Sequence, residues 1–235
     1  SFQNLTHSDA FPDSLNTSKW GVHDEFVFTK FYEELNTIEQ PFFKVMLSLS
    51  SHEPFDVPMQ TVFEGTDDLN KFKNSAYYTD QALGEFIAKA KQTDWWDNTL
   101  IVITADHGHK LPENDGLTNP DRFKIPLLWL GGALAKKDTV ISSIGNQTDI
   151  ANTVLAQIGK PDPAFTFSKN LLDKSQKDFS VFVFNNGFGY IEEDVLVIYD
   201  NVGKQYLEKR GIANEEELLF GKAYMQRLYT DYNNK

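Results

Sequence analysis

The sequence predicts an α/β fold: a mostly parallel sheet flanked by helices, followed by a small antiparallel β subdomain and a closing helix. Two observations predict it. Through most of the chain, short apolar runs alternate with longer segments of helical periodicity. Near the carboxyl end, two segments alternate in strand fashion and an acidic-start helical segment follows. We therefore expect a core domain over residues 1–165 and a small β-plus-helix subdomain, packed on it, over residues 166–235.

In the core domain, the first predicted strand lies between two helices. Residues 25–36 carry apolar side chains at helical spacing. The run 41–50 is nearly unbroken apolar sequence closed by a polar cluster, which is typical of a strand buried on both faces. Residues 67–92 carry one apolar stripe, and the polar and acidic residues at their start favour an N-cap. This order predicts a helix, a strand and a long helix.

Three further elements complete the predicted core. Segments 99–104 and 125–130 are short apolar strands, and residues 148–158 form a helix that stops at Gly159. A strand, helix, strand order implies parallel pairing through right-handed crossovers. The carboxyl ends of the strands are therefore expected to meet at one edge of the sheet, where open α/β sheets bind ligands.

The predicted subdomain contains two strands and a helix. Segments 179–185 and 195–200 alternate apolar and polar residues, and Asn186-Gly187 with a turn-rich stretch separates them. This pattern predicts an antiparallel pair. Residues 215–232 begin with three glutamates and continue with apolar residues at helical spacing, which predicts the closing helix.

Composition excludes several classes of function. The chain has 22 Lys plus Arg against 34 Asp plus Glu, a net charge of −12 that repels nucleic acids and anionic lipids. With no cysteine, it has no disulfide, thiolate ligand or Cys nucleophile. The sequence contains no apolar run of the roughly 18 residues that a bilayer requires. Because it opens on polar, irregular sequence without Met, we expect it to be a fragment of a longer protein.

The candidate site follows the second predicted strand, which runs into Asp106, His107, Gly108 and His109. A carboxylate beside an imidazole at a strand end suits a divalent metal. His52 follows the first predicted strand, so parallel pairing would bring it to the same edge. Simpler interpretations exist, because Asp106 also suits a helix cap and the histidines suit solvated loops. Since two of the five histidines fall at this strand end, we favour metal binding by Asp106 and His107.

An ordered set of motifs carries a resemblance to a known family. The motifs are Trp20-Gly21-Val22, Asp24-Glu25, Pro41-Phe42-Phe43, Ser50-Ser51-His52-Glu53-Pro54-Phe55, Asp97-Asn98-Thr99 and Thr104-Ala105-Asp106-His107-Gly108. In this order the chain resembles the C-terminal part of the catalytic domain of the lipoteichoic acid synthase and sulfatase-like family, in the alkaline phosphatase superfamily. The resemblance runs from about Trp20 to Leu130, with a weaker echo at 185–190.

The resemblance implies roles for individual residues. Asp106 and His107 correspond to two ligands of one divalent metal, which could be Mn, Zn, Mg or Ca. His52 corresponds to the histidine that contacts the phosphate or sulfate oxygens of the substrate. His109 stands where members vary, and we place it with His52 as a substrate-side candidate. The family's other acidic ligand and its Thr or Ser nucleophile belong to an N-terminal half for which this sequence has no counterpart.

The function that this resemblance implies is metal-dependent hydrolysis of phosphate or sulfate esters, or phosphoglycerol transfer. The partners are an ester substrate, such as a phosphoglycerol lipid or a glycan, and the missing N-terminal half; no nucleic acid is expected. Alone, the fragment is expected to be inactive and to hold the metal weakly or not at all. Full-length members usually carry membrane helices and work outside the cytoplasm.

Two alternatives stay open at this point. One is a self-contained metallohydrolase whose site is completed by His52, Asp106, His107 and His109. The other is a non-catalytic binding module in which the histidines are incidental. The sequence also leaves open whether the ester is a phosphate or a sulfate and whether the reaction is hydrolysis or transfer. The identity of the metal stays open because an Asp-His pair accepts several divalent ions.

Overall fold

The computed structural model describes residues 2–211 and 215–234. They form two compact units. The first unit comprises the described residues up to Asn114 together with Ile125–Ala135, and the second comprises Asp115–Lys124 with the described residues from Lys136 onward. The domain boundary expected after residue 165 stays a prediction. In the described part of the chain, no helix is both long enough and apolar enough to span a bilayer.

Two helices form the base of the first unit. Helix α1 spans Asp24–Leu35 and helix α2 spans Asp68–Ala90, so the predictions for both are confirmed to within two residues. The Asp67 side chain caps α2 by accepting a hydrogen bond from the Asn70 amide at 3.1 Å. The helices pack through aromatic side chains, with the rings of Phe28 and Phe86 5.4 Å apart. This packing buries the first core, which consists of Phe28, Leu35, Ala82, Phe86, Ala90 and Trp95.

The first unit also contains a two-stranded sheet. Strand β1 is Ile101–Thr104 and strand β2 is Leu127–Leu130, within the predicted segments. They pair antiparallel, with Ile101 opposite Leu130. The predicted parallel pairing is therefore wrong for these strands. The physical reason is the connection: between the strands the chain forms loops and the 3₁₀ turn Pro120–Phe123, and it contains no crossover helix that could return the chain to its starting edge.

The predicted strand at 41–50 is also wrong. This segment is extended but pairs with no strand in the described part of the chain. Its side chains alternate: Phe42 and Met46 pack on the first core, whereas Phe43, Val45 and Leu47 are 81%, 59% and 64% exposed. A strand buried on both faces needs a covering layer on each, and in the part of the chain that the structure describes this segment is covered on one face, by the first core.

The second unit is built on an antiparallel meander. Helix α3 spans Asp149–Gln157 and precedes four strands in sequential order. The strands are β3 Ser180–Phe184, β4 Gly187–Ile191, β5 Leu196–Asp200 and β6 Gln205–Arg210. The predicted strands correspond to β3 and β5, but the Asn186-Gly187 turn joins β3 to β4, which the sequence analysis missed together with β6. All described strand pairs are antiparallel, so the mostly parallel sheet is not confirmed.

Helix α4, Glu215–Asn233, closes the second unit as predicted. Its Leu218 and Met225 pack against one face of the meander, where Phe188, Tyr190, Val197 and Tyr199 are buried. On the opposite face, Phe123 stacks on Phe182 with ring centroids 4.5 Å apart.

Short 3₁₀ turns of the first unit lie at Ser8–Ala10, Asp13–Leu15 and Trp96–Asn98.

Candidate active site

Asp106 and His107 lie at the exposed end of β1, within the first unit. The His107 amide donates to Asp106 Oδ1 at 2.9 Å, and His107 Nε2 lies 3.6 Å from Asp106 Oδ2. His107 Nδ1 is 2.8 Å from the Gly108 carbonyl oxygen, to which it can only donate. The ring proton is therefore on Nδ1, which leaves Nε2 as the nitrogen that can bind a metal. Both side chains are about two-thirds exposed, so an ion can reach them.

The donor set fits a divalent metal but does not complete its site. A carboxylate oxygen and an imidazole nitrogen that face each other match the ligands of such ions. A catalytic metal site uses three or more protein ligands. Among residues 2–211 and 215–234, no three His, Cys, Asp or Glu side chains are grouped to hold an ion. The geometry thus supports a pair of ligands and gives no support to the self-contained metallohydrolase.

His52 lies in a tight turn that follows the extended segment. Its amide donates to the Leu49 carbonyl at 3.1 Å, and the Phe55 amide donates to the His52 carbonyl at 2.9 Å. The Glu53 carbonyl accepts from His52 Nδ1 at 3.0 Å and from the Trp20 indole at 2.6 Å. The Trp20 and His52 rings lie 4.5 Å apart. The imidazole is therefore exposed but held in orientation, with Nε2 as the nitrogen left for a substrate.

Asp24, the first residue of α1, supports this turn from below. Its carboxylate is fully buried, and Oδ1 accepts from the amides of Leu49 at 2.8 Å and Ser50 at 3.1 Å. Oδ2 accepts from the Thr79 hydroxyl of α2 at 2.7 Å, and the Asp24 amide donates to Ser50 Oγ at 2.9 Å. This role was not predicted from the sequence, where its one signal is an Asp in the first turn of a predicted helix, within the motif Asp24-Glu25.

A buried tyrosine lies near the same helix start. Tyr78 directly precedes Thr79 on α2, and its ring meets the buried ring of His23 edge-on, 6.1 Å away. Burial raises the pKa of the Tyr78 phenol, and the charges of Glu25 and Asp24 raise it further. Tyr78 is therefore neutral at physiological pH and adds no charge beside the Asp24 carboxylate.

His109 joins the two loops of the site. Its ring stacks on Phe72 of α2 at 5.4 Å and meets Phe55 edge-on at 5.8 Å. Its Nε2 lies 3.4 Å from Glu53 Oε1, and its Nδ1 accepts from the Leu111 amide at 3.0 Å. The loop after β1 and the turn that carries His52 are therefore neighbours, although the reason is a loop-to-loop contact and not the predicted parallel sheet.

The chain is similar to known proteins over most of its length. The model of the sulfatase family matches residues 1–160. Lipoteichoic acid synthase from Staphylococcus saprophyticus is 24% identical over 92% of this chain and 37% of its own length. Phosphoglycerol transferase I from Xanthomonas euvesicatoria is 27% identical over 66% of this chain and 23% of its own. The chain thus spans well under half the length of these relatives.

A solved structure supports the fold. A protein of the alkaline phosphatase superfamily from Vibrio parahaemolyticus matches with a TM-score of 0.69 and 25% identity. The match covers 90% of this chain and 56% of that protein. It confirms the predicted α/β class and the family resemblance, while the pairing of the strands is as described above.

Proposed function

Because this chain belongs to the sulfatase family, we propose that it is the C-terminal part of the catalytic domain of a metal-dependent enzyme acting on phosphate or sulfate esters. The observation that carries the proposal is the Asp106–His107 pair, exposed at a strand end beside the turn that holds His52. The relatives carry the names of a synthase and a transferase, which favours an enzyme over a non-catalytic module.

We propose that Asp106 Oδ2 and His107 Nε2 bind one divalent ion, with Mn, Zn, Mg and Ca as candidates. When bound, such an ion stabilises negative charge on the ester oxygens and lowers the pKa of an attacking hydroxyl. The hydrogen bond from His107 Nδ1 to the Gly108 carbonyl holds the ring in the tautomer that this ligation needs. The chain's own contribution is therefore a pre-oriented pair of ligands.

We propose that His52 binds the substrate. Because Nδ1 donates to the Glu53 carbonyl, Nε2 accepts a hydrogen bond from a substrate hydroxyl when the ring is neutral and donates to an ester oxygen or to the departing alcohol only when the ring is doubly protonated. The substrate role predicted for His109 stays untested. Since both of its ring nitrogens are already engaged, by Glu53 and by Leu111, we propose that His109 acts by holding the loops together.

The remaining machinery is proposed to lie in a longer protein. A Thr or Ser nucleophile and a further acidic ligand would come from the region that precedes this part in the family. The exposed apolar edge of residues 41–49 supports this, because a covering layer would bury Phe43, Val45 and Leu47. By the same resemblance, we propose that the whole enzyme is membrane-anchored and acts outside the cytoplasm of a bacterium.

Turnover by the longer protein tests the proposal. Aryl phosphate, aryl sulfate and phosphoglycerol lipid are offered to the unsubstituted enzyme, to Asp106→Ala and to Asp94→Ala, which removes another exposed carboxylate of the first unit. We expect Asp106→Ala to lose more than about 100-fold of the turnover, because loss of supporting contacts to a ligand alone costs 10–100-fold. Asp94→Ala should keep it. Equal turnover by both variants, or no turnover of any substrate by the unsubstituted enzyme, would remove the enzyme claim.

A further inference from the structure

A fully buried carboxylate needs compensation, and Asp24 obtains it from neutral donors. An ionised side chain away from water is costly unless hydrogen bonds satisfy it. Two backbone amides and the Thr79 hydroxyl donate to the Asp24 oxygens at 2.7–3.1 Å. Asp24 also begins α1, where the helix dipole favours negative charge. The carboxylate is thus stable without a cation, and its hydrogen bonds are directed at one short segment.

That segment leads directly into the turn that carries His52. The amides of Leu49 and Ser50 are fixed by Asp24 Oδ1, and Ser50 Oγ accepts from the Asp24 amide in return. The Leu49 carbonyl then accepts the His52 amide at 3.1 Å. One hydrogen-bonded turn therefore separates the buried carboxylate from the exposed imidazole.

We propose that Asp24 is a positioning residue that holds the His52 imidazole against Trp20 and so presents it to the substrate. This inference rests on the substrate role proposed for His52. Thr79 donates a hydrogen bond from α2 to the carboxylate of Asp24, which begins α1. The position of the turn is therefore fixed by the two packed helices as well as by contacts within its own loop. Trp20 packs on the imidazole and donates to the same Glu53 carbonyl as His52.

Two substitutions of Asp24 are expected to differ in whether they keep its hydrogen bonds. In Asp24→Asn, the remaining oxygen can still accept from the Leu49 and Ser50 amides while the new NH₂ group donates to Thr79 Oγ. In Asp24→Ala, both amides lose their acceptor in a buried place. If Asp24 positions His52, the Asn variant keeps the geometry and the Ala variant loses it.

The test uses this chain and compares Asp24→Ala, Asp24→Asn and Asp149→Ala by NMR. Asp149 is the matched control, because it is a buried carboxylate that begins α3 in the second unit and also accepts from backbone amides. The readouts are the nuclear Overhauser contact between the Trp20 and His52 rings and the hydrogen exchange of the Leu49 and Ser50 amides. Inorganic phosphate and sulfate are then titrated in the presence of excess Mg²⁺ while the His52 ring resonances are followed.

We expect Asp24→Ala to lose the ring contact, to exchange both amides at least about tenfold faster and to bind either anion at least about tenfold more weakly. Asp24→Asn and Asp149→Ala should behave like the unsubstituted chain. A ring contact that persists in a folded Asp24→Ala variant would overturn the inference, as would its loss in a folded Asp149→Ala variant. If Asp24→Ala does not fold, Thr79→Val decides: faster exchange of the two amides supports the inference, and unchanged exchange overturns it.

The anion titration separates this inference from the function on which it rests. If neither anion perturbs His52 in the unsubstituted chain, the substrate role proposed for His52 is wrong. The ring contact and the amide exchange then still decide whether Asp24 holds the turn.

Discussion

At the residue scale, the first unit contains two carboxylates that do opposite things. Asp24 is buried and satisfied by donors that it holds in place, whereas Asp106 is two-thirds exposed and faces the imidazole beside it. Burial decides the difference. The oxygens of a buried carboxylate must accept hydrogen bonds from the protein, whereas those of an exposed carboxylate can bind an ion. The same residue type therefore positions a turn in one place and offers a metal ligand in the other.

A third acidic side chain makes the first unit sensitive to acid. Glu34 of α1 forms an ion pair with Lys44 of the extended segment and accepts a hydrogen bond from the Thr6 hydroxyl at 2.9 Å. Burial raises the pKa of Glu34, but the hydrogen bonds from Lys44 and Thr6 outweigh it, so the pKa lies below its ordinary value. A carboxyl whose pKa falls on folding stabilises the protein above its unfolded pKa, and that contribution is lost as the pH falls through the folded value.

We therefore predict that Glu34→Gln lowers the free energy of unfolding more at pH 7 than at pH 3. Urea denaturation at both pH values measures it. Glu33→Gln, at the exposed neighbouring position of α1, is the control and should show a smaller difference between the two pH values. If Glu34→Gln costs the same at both pH values, the ion pair with Lys44 does not contribute.

How far the sequence predicts the site depends on the reach of each contact. Asp106 and His107 could be placed because their position depends on the strand just before them, and β1 formed where its apolar run predicted. The roles of Asp24 and His109 could not be predicted, because their partners are distant in sequence. Those of Asp24 lie 25, 26 and 55 residues away, and the Glu53 partner of His109 lies 56 residues away. Local periodicity carries no information about which distant amide a buried carboxylate will meet.

At the element scale, helices were predictable and strand pairings were not. A helix satisfies its backbone hydrogen bonds internally, so an amphipathic pattern such as that of α2 suffices to place it. A strand needs a partner: the apolar run of β1 pairs with β2, whereas the similar run at 41–50 has no strand partner in the described part of the chain. Strand β6 was missed for a related reason: it is an edge strand with polar residues, so its alternation is weak.

The unpaired segment predicts self-association. Phe43 and Leu47 lie in an extended chain that has no strand partner in the described residues, and such edges pair with other chains. We predict that Phe43→Ser combined with Leu47→Ser reduces the concentration-dependent association of this chain and changes the free energy of unfolding by less than about 0.5 kcal/mol. Sedimentation velocity over a range of concentrations measures the first effect, and urea denaturation the second.

Phe42→Ser is the matched control, because the adjacent side chain packs on the first core. It should leave association at least as strong and lower the free energy of unfolding by about 2 kcal/mol or more. If the double substitution leaves the association unchanged, the apolar edge is not what brings the copies together.

At the scale of the whole molecule, charge constrains how the substrate can be held. The chain carries a net charge of −12, which repels a phosphate or sulfate ester at long range. An anionic substrate therefore needs a concentrated positive charge at the site itself. A divalent ion at Asp106 and His107 would supply it, and this is a physical reason for expecting a metal beyond the family resemblance.

Two donors should bind such an ion weakly. We predict that Mn²⁺ titrated into this chain broadens the NMR resonances of His107 and Asp106 first, without reaching stoichiometric binding at micromolar concentrations, because each missing ligand costs affinity. Asp106→Ala should abolish the selective broadening of His107, and Asp94→Ala should retain it. Tight binding of one ion per chain, with His52 and His109 broadened as strongly as His107, would instead show that this chain completes a metal site unaided and would restore the self-contained metallohydrolase.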